Sequence, residues 1–304
     1  MKALFSFVLI CLCVFEVKAQ SHHIELQIQN QPENPIVLGW IKGDNFFKID
    51  SVQATNGVVR FDLPDDAHTG VYRMILGKTG YARVMNEGPQ QLDFIYNNED
   101  INLRTDFKVP VEVLQVIRSE ENSFYYDFMQ RQSEYEKAIS LMEQEVNHYW
   151  LDNDTAKAIS LSNEFNQLQM EWDLRIVQAM QLHADLYASK LIGAKRVPLK
   201  DGFLSPEERK EALKANFFNH TDFSDESLMY SQALTDKVFD YLVLFNDKSY
   251  TQQQRTAAYK KAVDVVLSLT NKNPVVYDFI VQYLIHGFDV LDLQEVIAHI
   301  EATK

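Results

Sequence analysis

Arg118-Ser119-Glu120-Glu121-Asn122-Ser123-Phe124-Tyr125 is where the chain changes its period. Upstream, apolar residues alternate with polar ones. Downstream, they recur at helical spacing. Ser119 carries the hydroxyl that caps a helix N-terminus, and Glu120 and Glu121 follow in the first turn, where carboxylates suit the helix dipole. The stretch predicts a boundary between a β domain over residues 20–117 and a helical domain over 118–304.

Working backwards, Ile24-Glu25-Leu26-Gln27-Ile28, Val58-Val59-Arg60-Phe61, Val71-Tyr72-Arg73-Met74-Ile75-Leu76 and Leu92-Asp93-Phe94-Ile95-Tyr96 have strand periodicity. Ile36 to Ile41 and Ile101-Asn102-Leu103 behave likewise. Asn56-Gly57, Gly77-Lys78-Thr79-Gly80 and Asn97-Asn98 are turn signals between such segments. The spacing predicts roughly eight strands in an antiparallel β-sandwich-like domain. Working forwards, Phe124, Phe128, Tyr135, Ile139, Met142, Val146 and Tyr149 form one apolar stripe, and Leu161, Phe165, Leu168, Trp172, Ile176, Ala179, His183 and Leu186 form a second. The short Asp152-Asn153-Asp154 link between them predicts a long antiparallel helical hairpin. Shorter helices follow. Ser205-Pro206-Glu207-Glu208 and Thr251-Gln252-Gln253-Gln254 have capping-box spacing, Asn273-Pro274 opens another helix, and Asp292 with Glu295 opens the last. The fold class expected is α+β.

The N-terminus carries a leader pattern. Lys2 is followed by an apolar run from Ala3 to Phe15, broken only by Ser6, and Val17 and Ala19 are the small residues of a cleavage site. Residues 1–19 are thus expected to be a signal peptide, too short in its apolar part to span a membrane, and the mature chain to begin at Gln20 in the periplasm or outside the cell. Both cysteines, Cys11 and Cys13, fall in that segment. Their removal would leave no thiolate for disulfide, zinc or redox chemistry. The net charge of −14 over 304 residues argues against nucleic acid and anionic membrane as partners. No integral membrane segment is expected after cleavage.

Lys48-Ile49-Asp50-Ser51-Val52 followed by Asn56-Gly57-Val58-Val59-Arg60-Phe61, the Asn86-Glu87-Gly88 turn, and Arg118-Ser119-Glu120-Glu121-Asn122 with Phe124 and Tyr125 occur in a telling order. That order, with Thr235 to Leu244 and Pro274 to Ile300 behind it, resembles the N-terminal half of exported TlpA-type thioredoxin-like thiol-disulfide oxidoreductases of Bacteroidota. Arg118 stands where that family usually has glycine in its Gly-Ser-x-x-Asn helix start. The resemblance implies a β domain, a helical region and then a thioredoxin domain. It covers nearly the whole mature chain and stops at Lys304, with no Cys-x-x-Cys after Ala19, so the family's redox residues have no positions to map onto.

Local motifs offer few sites. Gln20-Ser21-His22 at a new amino terminus could hold Cu(II) or Ni(II) in a square plane, with His22 the imidazole ligand and His23 an axial donor. His183 lies on an apolar stripe and reads as a hydrogen-bonded core residue; His148 reads as a helix-end donor, and His220 with Asp222 and Asp225 as a polar loop. Asp50-Ser51-Val52 and Asp154-Thr155-Ala156 match a short bacterial O-glycosylation pattern. No His-Glu-x-x-His, Gly-x-Ser-x-Gly or glycine-rich phosphate loop occurs. Phe217-Phe218, at a helix end before a polar loop, is the expected exposed docking patch. The function expected is an exported, non-catalytic binding or spacer module without a cofactor, meeting a protein or glycan partner or a separately encoded thioredoxin domain. The alternative is a truncated or split thiol-disulfide oxidoreductase.

Overall fold

The computed structural model describes residues 22–303 apart from Pro32 and Asp65. The leader, Cys11, Cys13 and Gln20 lie outside the described residues. Two four-stranded sheets pack face to face, and a helical region follows, so the α+β architecture is as expected. Sheet one has the order β4 (Val58–Asp62), β1 (His23–Gln29), β7 (Ile101–Asp106), β8 (Gln115–Arg118). Sheet two has the order β3 (Asn45–Val52), β2 (Ile36–Lys42), β5 (Gly70–Gly77), β6 (Gln90–Tyr96). Ile24, Leu26, Leu38, Phe61, Tyr72, Met74, Phe94 and Leu103 fill the space between them. Asn56 and Gly57 both have positive φ, the backbone that an Asn-Gly turn supplies.

One pairing departs from the antiparallel expectation. β1 runs parallel to β7, with Ile24 opposite Ile101 and Leu26 opposite Leu103. Alternation marks which face of a strand is buried but not the direction of its neighbour, so this pair carries no sequence signal.

The outer faces of the two sheets differ. Sheet one turns polar groups outward, with Arg60 paired to Glu25 and Arg104 donating to Gln27. Sheet two has part of its outer face covered as well: Ile95 joins the helical core, and Val71 packs against it. A bulge between Leu38 and Gly39 shifts the register of β2 against β3, and Ile41 is buried beyond it.

The hairpin is formed by α2 (Glu120–Leu151) and α3 (Thr155–Leu182), with Ser119 and Asp154 as side-chain caps. Phe128, Trp172, Ile176 and Ile192 make its core near the sheet, and Tyr135 stacks on Trp172. Short helices complete the chain: α4 (Tyr187–Ala194), α5 (Pro206–Asn216), α6 (Ala233–Val243), α7 (Gln252–Thr270), α8 (Pro274–Val290) and α9 (Gln294–Thr303). A five-residue α1 (Gly80–Val84) sits between β5 and β6. Both expected capping boxes form at α5 and α7, and Asn273 caps α8 with Pro274 inside its first turn. Asp292 is instead a turn residue at φ 56°, one residue too early to cap α9. No helix among the described residues is long and apolar enough to cross a membrane.

The joint between the layers lies at the start of α2. β6 is an edge strand, which leaves backbone groups of Ile95 without a strand partner. Asn122, fully buried, supplies both bonds: its Oδ1 accepts from Ile95 N–H at 2.8 Å and its Nδ2 donates to Ile95 C=O at 2.7 Å. Glu121 is 2% exposed and reaches the start of α4, where its carboxylate accepts from Tyr187 N–H at 2.8 Å and Ala188 N–H at 2.7 Å. α4 has no side-chain cap of its own, so Glu121 caps it from a distant part of the sequence. Asn122→Ala leaves two buried backbone groups unpaired, and the expected cost is about 2–4 kcal/mol of folding free energy. Urea denaturation measures it; a loss below about 0.5 kcal/mol would show that the joint contributes nothing beyond an ordinary surface contact.

Candidate functional site

Where the helical region leaves the outer face of sheet two, a cavity of about 480 Å³ remains. Its floor is Ile41, Val71 and Ile95; one wall is α2, and the segment after α4 lies opposite. Helix α6 contributes Ala233, Asp236, Lys237 and Asp240, whose i, i+3, i+4 and i+7 spacing puts them on one face. Tyr125, Tyr126, Tyr135 and Glu136 come from α2 by the same periodicity. The volume falls in the range of small-molecule pockets, which combine an apolar lining with a few polar groups.

The polar groups are of two kinds. Some are fully engaged: Arg73 forms a fork on Asp93 at 2.6 and 2.7 Å and also donates to Gln232 at 3.1 Å, and Tyr126 donates to the Asp93 backbone carbonyl. Lys200 pairs with Glu143 at 2.7 Å. These bonds hold the rim. Others are not engaged. The exposed side chains of Asp236 and Asp240 have no hydrogen bond or ion pair among the described residues, and partial desolvation by the cleft walls pushes both carboxyls above the ordinary range. Lys195 draws Asp236 partly back without forming an ion pair with it. The Tyr125 hydroxyl has no partner among the described residues, and burial pushes it up to about 12.

Lys237 is the odd member. It is 4% exposed, and its Nζ donates to the Arg196 carbonyl and lies 4.7 Å from the Phe217 ring centre. The ammonium is thus held by a carbonyl and a π face, with no carboxylate in ion-pair contact. Burial lowers its pKa to about 8.

The residues singled out from sequence lie elsewhere. His22 packs edge-on to Tyr96, with its Nδ1 3.5 Å from Asp100, and His23 bonds Asp62 at 2.5 Å. Among the described residues no cluster of three metal-ligating side chains occurs. The exposed patch expected at Phe217-Phe218 is a correction: Phe217 is 4% exposed, and both rings pack on Tyr241 in the helical core. The polar loop that follows folds back through Phe223, which is also buried against Phe218. His183 is a partly exposed C-cap residue whose ring packs at a tilt on Phe124, not a buried hydrogen-bonding one. Asp222 and Asp225 spend their carboxylates on turns at Ser224 and Ser227, so His220 gains no ligand set from them. The Asp236–Asp240 pair carries no signal in the sequence, because carboxylates four apart on a helix are ordinary solvated-face residues; both are exposed in the structure too, and only their place at the cleft sets them apart.

Compared with protein-family models, curated proteins and solved structures, the chain matches none.

The buried ammonium carries a pH signature. Between about pH 8 and the ordinary lysine value of 10.5 the unfolded chain binds more protons than the folded one, so Lys237 makes stability climb as pH rises through that window. Lys237→Met should therefore be more stable than the natural chain at neutral pH, by on the order of 2–3 kcal/mol. That margin should shrink as pH rises above about 8. Chemical denaturation at a series of pH values tests this; a constant margin would mean that the lysine sits in its ordinary state.

Proposed function

We propose that this chain is an exported, non-catalytic recognition module whose ligand sits in the cleft between sheet two and the helical region. One observation carries the reading: the cavity is rimmed by engaged polar groups while Asp236, Asp240 and the Tyr125 hydroxyl, which face it, have no side-chain partners among the described residues. Carboxylates exposed to the cleft and free of protein partners among the described residues, set inside a bonded frame over an apolar floor, suit binding, because a ligand can pair with them without breaking a contact of the fold. No nucleophile with an adjacent base is assembled there among the described residues. The leader pattern supports export, and the thiol-free sequence after Ala19 supports a role without disulfide exchange.

Fragment screening by NMR tests the reading. Bound fragments should perturb Ile41, Val71 and Lys195. Val197→Trp, at a half-exposed position on the cleft wall, should abolish those shifts while the far-ultraviolet spectrum stays native. Fragments that bind elsewhere, or that ignore Val197→Trp, would overturn it. The mature protein is also expected to give no thiol-dependent reduction of insulin; observed reduction would contradict the non-catalytic assignment.

A further inference from the structure

The cleft has a charge preference as well as a shape. Asp236, Asp240 and Glu136 line the cleft with no ion-pair partner among the described residues: Lys195 and Lys237 act on the two aspartates from a distance, and Lys237 turns its ammonium to the Arg196 carbonyl and the Phe217 ring. Glu136 accepts a single hydrogen bond from Gln132. Asp44 lies close enough to Asp236 to add to the same negative field. A nine-tenths buried lysine beside two carboxylates would ordinarily pair with one of them. Here it does not, and the carboxylates are left to solvent in the cleft.

A primary ammonium presents three donors and no acceptor. Asp236 and Asp240, one helical turn apart, offer carboxylate oxygens to such a donor set, and the Tyr125 hydroxyl oxygen, as yet unbonded, offers a neutral acceptor on the facing wall. The ring face of Tyr135, stacked on Trp172 and so held in place, adds a surface that attracts cations. Ile41, Val71 and Ile95 would cover an alkyl stem. We propose that the cleft binds an alkylammonium group, with Asp236 and Asp240 as its counter-ions and the apolar floor against its carbon chain. This rests on the cleft being the binding site.

Two sources supply that chemistry: a free diamine and a lysine side chain of a peptide. Titration calorimetry with cadaverine, with N-acetyl-lysine methylamide and with uncharged 1,5-pentanediol separates them. Both amines should bind better than the diol, and whichever amine binds tighter identifies the source. Asp236→Asn with Asp240→Asn should weaken amine binding at least about tenfold, the loss of roughly one charge-assisted bond. Both positions are exposed and make no side-chain bond among the described residues, so the variant should stay folded, which circular dichroism checks. Amine binding should also fall as pH drops into the carboxylates' raised range. If the diol or other neutral fragments occupy the cleft and neither amine does, the ammonium assignment fails and the binding site stands. Amine affinity unchanged in the double variant overturns the assignment too. If nothing enters the cleft, both fail.

Discussion

The edge of sheet two has to be closed by something other than a strand, and Asn122 closes it. A buried amide can both donate and accept, so one side chain replaces the two bonds that a neighbouring strand would give Ile95. Ser119 holds that amide in place: its hydroxyl accepts from Asn122 N–H and Nδ2–H and donates to Glu99. Glu121, next in the chain, satisfies two N–H groups of α4 and accepts from Asn97. Three residues within one four-residue stretch thus fix the edge of the sandwich, the start of the long hairpin and the start of a third helix. A chain without disulfides in its described part relies on this kind of buried polar network for a defined arrangement of its layers.

The cleft is a consequence of that arrangement. α2 leaves the sheet edge at a set angle and carries Tyr125 and Tyr126 over Asp93, while α6 comes against the same face farther along. Gly43 lets the β2–β3 turn approach the helical layer, its N–H donating to the Met229 and Ser231 carbonyls; at φ 55° a side chain there would be strained and would meet Phe279 and Thr235. Gly70 does the same against Tyr230. With contacts on both flanks fixed, the space between cannot collapse, and the carboxylates on α6 stay open to the cleft without a partner among the described residues.

Local features were legible in the residues, and non-local ones were not. Ser119, Ser205 and Thr251 announced their helix starts because a cap acts within three residues. Strand alternation marked the sandwich core for the same reason. Glu121 looked like a first-turn carboxylate favouring its own helix dipole, yet its partners are 66 and 67 residues away. Phe217 and Phe218 misled because a helix end before a polar loop is normally at the surface, whereas here the loop turns back and brings Phe223 over them. Asp236 and Asp240 differ from other exposed helix carboxylates only in facing a sheet and a second helix across the cleft, which no local pattern encodes.

Amide hydrogen exchange reports on the joint most directly. The N–H groups of Ile95, Tyr187 and Ala188 all donate to side chains of the α2 start rather than to regular secondary structure. If those side chains hold the layers together, these three amides exchange only through the same global opening as Leu26 and Met74 in the sandwich core. Exchange of Ile95, Tyr187 and Ala188 by fast local opening, while the core amides stay protected, would contradict the account.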